Sequence, residues 1–244
     1  MTFHSKFVPL SYSSLKSFSI SPSHFLSYKK KERKDTSAML FGRLIHKLVL
    51  EEDLLLEDFA VFNGRRAGAS WEKFKSDNWS KDIVKASELD EAIKIKDSIY
   101  NNAKAEKLLK GLTETEKYFK EDINGINFHG YIDGFSPSYI LDLKTTVSAE
   151  PHKFTRDSFN LKYYLQAAIY CLATGIDDYY IIAVEKNTPY AVAIYKLDND
   201  LLDYGKGELI RLIEDFKEWD GSAAGYDYKS ALDYFTMYLP EWLK

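Results

Sequence analysis

The stretch from Thr113 to Thr146, TETEKYFKEDINGINFHGYIDGFSPSYILDLKTT, constrains the fold more than any other part of the chain. Apolar and polar residues alternate along it. Asn124-Gly125 is a two-residue turn signal and Pro137-Ser138 a second, so the segment reads as a three-stranded antiparallel meander. With two central residues in each turn, facing residue numbers sum to 249 across the first hairpin and to 275 across the second. Glu116 then lies opposite Asp133, and Asp133 opposite Asp142, giving a row of three carboxylates with Cβ atoms about 4.5–5.5 Å apart. Alternation puts Lys144 on the face of Asp142 and turns Leu143 into the opposite layer.

Like charges directly opposite in a sheet repel, and a hard divalent cation with oxygen ligands relieves that repulsion. Three exposed acids on the polar face of a sheet would look the same if taken alone. The lysine argues against that: Asp142 and Lys144 are set between Ile140, Leu141 and Leu143, where ionised groups are costly unless they pair or bind metal. Glu114 competes with Glu116 for the row if the hairpin is longer.

Helical text surrounds the meander. Ser11 or Ser13 is placed to cap a short helix running to Phe18, and Pro22 to open another turn. Residues 1–36 therefore read as an N-terminal arm or helical layer, and residues 37–244 as the main domain. A helix is expected from about Thr36 to Glu51, with Met39, Leu44, Ile45, Leu48 and Val49 as its apolar stripe and His46 among them. Residues 52–109 are charged and helical in character, broken at Gly64–Gly68 and Asn78–Ser80. Beyond the meander a helix is expected from Phe159 to Thr174, ended by Gly175, then strands at Tyr179–Glu185 and Tyr190–Lys196. Helices at Leu201–Trp219 and about Tyr228–Trp242 follow. The fold class is α/β.

Composition bounds what this chain does. Thirty-three Lys and Arg against 37 Asp and Glu give a net charge of −4, so a polyanion-binding surface has to be a local patch. One cysteine, Cys171, excludes an intramolecular disulfide and any cluster or zinc site needing several thiolates. No apolar run approaches the roughly 18–20 residues of a membrane span, and no secretory signal pattern opens the sequence, so a cytoplasmic protein is expected.

His46 in GRLIH, and Gln166 with Tyr170 one helical turn apart, would be ordinary packing residues in isolation. In order along the chain, however, Gly42 to His46, Asp133, Asp142-Leu143-Lys144 and Gln166 to Tyr170 resemble the GxxxH, D, DxK and QxxxY motifs of the RecB-like PD-(D/E)XK nucleases. SYSSLKSF, SPSHF, TSAMLFGRLIHKLVLE, DLKTT with KFTRD, and VEKNTPYAVAIYKL extend the resemblance over roughly residues 10–200, toward the RecE-type exodeoxyribonuclease VIII family. Ser21-Pro22 stands where cluster-bearing relatives have a cysteine, so no iron–sulfur cluster is expected.

The resemblance implies a restriction-endonuclease-like core, a mixed central sheet flanked by helices. It implies His46, Asp133, Asp142 and the Leu143 carbonyl as ligands of Mg²⁺ or Mn²⁺, with one or two metals. Lys144 would be catalytic, Glu116 an added acid, and Gln166 and Tyr170 active-site or DNA-backbone contacts. Implied too are 5′→3′ resection of linear duplex DNA for recombination, a single-strand annealing partner and a ring-shaped tetramer. Lys29, Lys30, Lys31, Arg33, Lys34, Arg65 and Arg66 are the basic positions available to phosphates, or else a solvated surface. Two readings compete: another RecB-like repair nuclease or endonuclease, and a DNA-binding module on this fold that has lost catalysis.

Overall fold

The computed structural model describes residues 7–31 and 35–222. Helices α1 (Tyr12–Phe18), α2 (Pro22–Lys30) and α3 (Ser37–Leu50) come first. Ser11 caps α1, its hydroxyl accepting from the Ser14 amide, and Pro22 occupies the first turn of α2, where the missing N–H costs nothing. Thr36 caps α3 through the Met39 amide.

After α3 the chain runs through a 3₁₀ turn (Glu52–Leu54), α4 (Leu55–Asp58), β1 (Phe59–Phe62), α5 (Ala69–Asp77), β2 (Asp82–Lys85), α6 (Ala86–Tyr100) and α7 (Ala103–Lys110). The meander follows as β3 (Glu114–Ile123), β4 (Ile126–Ser136) and β5 (Tyr139–Thr146). Then come α8 (Pro151–Leu161), α9 (Tyr163–Thr174), β6 (Tyr179–Glu185), β7 (Val192–Lys196) and α10 (Asn199–Glu218).

Strands β3 to β7 form a mixed sheet in chain order, antiparallel except for the parallel β5–β6 pair. The β5–β6 crossover carries α8 and α9, as a parallel connection requires. The register keeps the sum of 249 in the first hairpin, as in Lys117 against Ile132, and 275 in the second, as in Gly134 against Leu141.

The sheet separates two apolar layers. Residues of α1, α2, α9 and α10, including Leu15, Phe25, Ile169 and Phe216, pack with Ile132, Ile140 and Ile181 on one side. Leu44, Ile45 and Leu48 of α3 and Ile95 and Ile99 of α6 pack with Leu141, Leu143 and Ile182 on the other. Strand β5 therefore feeds both layers by alternation, and its two charged residues sit inside an apolar strand. Among the described residues no helix is long and apolar enough to cross a membrane.

Four expectations need correction. Residues 59–62 and 82–85 are not helical: FAVF and DIVK pair as a two-stranded parallel sheet that covers α6. The helix expected at Phe159–Thr174 is two helices, because Lys162 takes a left-handed conformation (φ 58°) between α8 and α9. Met39 is exposed rather than part of the α3 stripe. The second strand after the meander begins at Val192, since Tyr190 (φ 57°) is still in the turn. The helix expected at Tyr228–Trp242 lies outside the described residues.

Candidate active site

Strands β4 and β5 are paired from Ser136–Tyr139 to Gly134–Leu141, and there the ladder stops. From Asp142 on, β5 keeps its parallel bonds to β6 while β4 diverges. Asp133, the first β4 residue past the fork, spans the opening: its Oδ2 accepts a 2.8 Å hydrogen bond from the Leu143 amide. The expected facing pair of Asp133 and Asp142 is thus not a ladder pair, although both lie at the fork.

Across the first hairpin the pairing skips Glu116, between Thr115–Gly134 and Lys117–Ile132. Glu116 has φ 47°, a conformation that costs a non-glycine residue about 1–3 kcal/mol and is tolerated where the surroundings enforce it. Glu114 pairs with Lys117 at the exposed strand end, so Glu116 is the acid that faces Asp133.

From the other layer, α3 brings His46 to the same place. His46 Nδ1 is 3.6 Å from Asp133 Oδ2, and one ligand atom from each of His46, Glu116 and Asp133 lies within 4.8 Å of the others. All three open onto a cleft of about 1300 Å³, which Lys144, Tyr131 and Tyr163 also line.

Behind this trio Asp142 is buried, with 1% of its side chain exposed. Lys144 Nζ donates to its Oδ1 at 2.7 Å, and Gln166 Nε2 donates to the same oxygen at 3.0 Å. Oδ2 lies 2.6 Å from the Lys144 ammonium but without hydrogen-bond alignment, and is otherwise unpartnered. Gln166 Nε2 also donates to the Tyr170 hydroxyl at 3.2 Å, and that hydroxyl donates to the Tyr131 carbonyl at 2.8 Å. The i, i+4 pair on α9 therefore ties Asp142 on β5 to the backbone of β4.

The charges are strained in this arrangement. Burial, and then the neighbouring Asp133 carboxylate, push Glu116 up to about 7. Burial pushes Asp142 up to about 6, against the opposing pull of Lys144. Burial works against the Lys144 ammonium too, but Asp142 and Asp133 hold its pKa above the ordinary lysine value. The face of Tyr163 lies 4.9 Å from the same ammonium.

The donor set fits a divalent cation. Two carboxylates and an imidazole converge within ligand distance of one another, half-buried at the mouth of a cleft, and a cation would relieve the repulsion between Glu116 and Asp133. Asp142 is outside the mutual trio, and Leu143 meets Asp133 through its amide while its side chain enters the core. Tyr131 and Tyr163 went unnoticed in the sequence; only the alternation of Tyr131 with Asp133 and the place of Tyr163 three residues before Gln166 on the same helix could have drawn attention to them.

The basic candidates are dispersed. Lys29 donates to the Phe7 carbonyl at 3.1 Å, and Arg66 to the Ile83 carbonyl at 2.8 Å and to Glu88. Lys30 and Arg65 are exposed, and Lys31 lines the cleft. Arg33 and Lys34 lie outside the described residues. One cation that the sequence did not single out, Arg43, bridges Asp35 and Asp82 at 2.6 Å each on the cleft wall.

A family model described as "PDDEXK-like domain of unknown function (DUF3799)" matches residues 11–224. No curated protein matches the sequence. Among solved structures, the fold is similar to that of a presumed exonuclease from Eubacterium rectale, with a TM-score of 0.59 and 14% identity over 94% of this chain and 89% of that one. A phage-related exonuclease from Haemophilus somnus 129PT aligns with a TM-score of 0.35 and 14% identity, over 83% of this chain and 91% of that chain. The alkaline exonuclease LHK-Exo from Laribacter hongkongensis aligns with a TM-score of 0.33 and 15% identity, over 74% and 93%.

Proposed function

The chain belongs to the PDDEXK-like family DUF3799, and from that premise we propose that it is a divalent-metal-dependent exonuclease acting on linear duplex DNA. The observation that carries the reading is the buried Asp142 paired with Lys144, whose ammonium lines the same cleft as the open trio of His46, Glu116 and Asp133. An ion pair used only for stability has no need of three further ligand-type groups converging at a cleft mouth.

In this reading His46, Glu116 and Asp133 would hold the metal, with Asp142 and the Leu143 carbonyl as the further ligands the motif order implies. When bound, Mg²⁺ or Mn²⁺ supplies Lewis-acid polarisation of a phosphate and acidification of a water. Lys144 is fixed by both oxygens of Asp142 and by the Tyr163 face, so its role is electrostatic: it offsets the negative charge that develops on the phosphate and orients the nucleophile. Gln166 and Tyr170 hold Asp142 and the β4 backbone in place.

The finer reading is 5′→3′ resection for recombination, with Lys29–Lys31, Arg33, Lys34, Arg65 and Arg66 meeting phosphates, an annealing partner receiving the exposed strand, and a ring tetramer as the assembly. Its support is the ordered motif set and the open cleft. The test is digestion of linear duplex labelled at its 5′ or its 3′ end, beside circular DNA, with Mg²⁺, Mn²⁺ or EDTA. Early release of the 5′ label from linear DNA alone is expected. Cleavage of circular DNA at a comparable rate would replace the exonuclease by an endonuclease.

A further inference from the structure

The face of the β3–β4 hairpin that carries Glu116 and Asp133 does not end with them. By alternation, the next row on that face is Tyr118 with Tyr131, a register pair, and the one after is Lys120 with His129. Phe119, Phe128 and Ile132 point the other way, into the apolar layer under α9 and α10. Tyr118 and Tyr131 are 52% and 57% exposed, their ring centroids 5.2 Å apart and tilted by 55°.

The cross-strand ring pair steadies the hairpin, and because more than half of each tyrosine stays in water it also offers aromatic surface that a ligand can cover. Tyr131 lines the same cleft as His46, Asp133 and Lys144, so the aromatic row is continuous with the candidate site. Two strand steps advance about 6.6–6.8 Å, close to the reach of one extended nucleotide. The order along the face is carboxylates, aromatic rings, then the Lys120 ammonium. With a cation held by the carboxylates, as the proposed function requires, that order suits phosphate, base and phosphate in a single strand, where rings accept bases of any sequence and cations accept the backbone.

We propose that Tyr118 and Tyr131 form a stacking step for unpaired bases of a single-stranded nucleic-acid end lying along the β3–β4 face, with Lys120 meeting the phosphate beyond. This rests on the nuclease reading of the adjoining site and adds the form of the substrate: one strand leaves the duplex and runs over this hairpin.

The test is fluorescence anisotropy with a labelled thymidine decamer and an abasic decamer of the same length, with Ca²⁺ replacing Mg²⁺ and the oligomer's length checked after each titration. The parent protein should bind the thymidine decamer well above the abasic one. Tyr118→Ala/Tyr131→Ala should weaken thymidine binding by about 10- to 100-fold and erase the difference between the two decamers. Tyr118→Phe/Tyr131→Phe, which keeps both rings, should bind within about twofold of the parent. The proposal is overturned if the alanine variant binds like the parent, or if the parent does not distinguish the decamers, a comparison that needs no variant to fold. It is also overturned if light scattering shows a dimer that the alanine pair dissociates, since the face would then cover a second copy. A parent that digests duplex DNA without base-dependent binding removes the stacking step alone. Base-dependent binding without cleavage under any metal removes the nuclease reading alone.

Discussion

The Leu143 amide donates to Asp133 Oδ2 at 2.8 Å, joining two strands at the point where they stop pairing through their backbones. A candidate ligand thereby closes the fork it depends on. Asp133→Asn keeps an oxygen for this amide, whereas Asp133→Ala leaves the amide without its partner, at about 1–3 kcal/mol. Thermal denaturation should show the asparagine variant near the parent and the alanine variant clearly destabilised, while both lose DNA cleavage. Equal stability of the two would mean that the bond does not hold the fork.

Asp142 and Lys144 should be inseparable for stability. Removing the carboxylate leaves the half-buried Lys144 ammonium on the cleft wall without its partner, which costs about 1–3 kcal/mol. Asp142→Ala should therefore abolish cleavage and also lower the melting temperature, and Asp142→Asn is the better probe of catalysis. DNA binding by the folded fraction should persist in both.

Lys144→Ala removes positive charge and no ligand. Calorimetric Mn²⁺ affinity should hold or rise slightly, while single-turnover cleavage falls by about 10² to 10³. Lys144→Arg should not restore full activity, because a planar guanidinium does not replace a compact ammonium seated on one carboxylate. Cleavage of Lys144→Ala at the parental rate would leave the lysine only a structural counter-charge.

Glu116 and Asp142 are both raised in the folded protein, to about 7 and about 6. A raised folded-state pKa means that the native state binds more protons than the unfolded one, so this contribution is full below about pH 4 and is lost as pH rises through 7. The metal-free protein should lose a few degrees of melting temperature between pH 5 and pH 8. Mn²⁺ should return more stability at pH 8 than at pH 5, when its ligands are ionised. A flat profile in EDTA would contradict the crowding of these carboxylates.

Gly205 gives an independent check of how α9 and α10 pack. A Cβ there would lie 2.5 Å from the Tyr164 carbonyl oxygen, part of the backbone and unable to rotate away. Gly205→Ala improves helix propensity by about 1 kcal/mol, yet should destabilise overall by about 1–3 kcal/mol because the helices must separate. Stabilisation would show that the two helices are not in this contact.

The hairpin registers were legible because turn length alone fixes them, and Asn124 (φ 51°) with Gly125 (φ 79°) forms the turn that their identities call for. What those sums could not convey is where ladders end. Asp133 and Asp142 satisfy the second sum but are parted by the fork, and Glu116 satisfies the first while its backbone turns left-handed. Both departures occur at the candidate site, where local rules are most often overridden. Lys162 breaks a helix without glycine or asparagine to signal it, and FAVF and DIVK are too short to register as strands amid charged helical sequence. The approach of His46 to Asp133 was accessible only through the ordered motifs, since it depends on how α3 lies across the sheet.

The most direct test is a metal titration read in two ways on one preparation. Protein stripped with EDTA is titrated with Mn²⁺, following heat on one sample and single-turnover release of label from linear duplex on another, for the parent and Asp133→Asn. The expected result is no cleavage in EDTA, a cleavage midpoint in the parent that coincides with its binding midpoint, and loss of both in Asp133→Asn. Undiminished cleavage in EDTA, or parental cleavage by Asp133→Asn, would contradict a metal-dependent centre built on His46, Glu116 and Asp133.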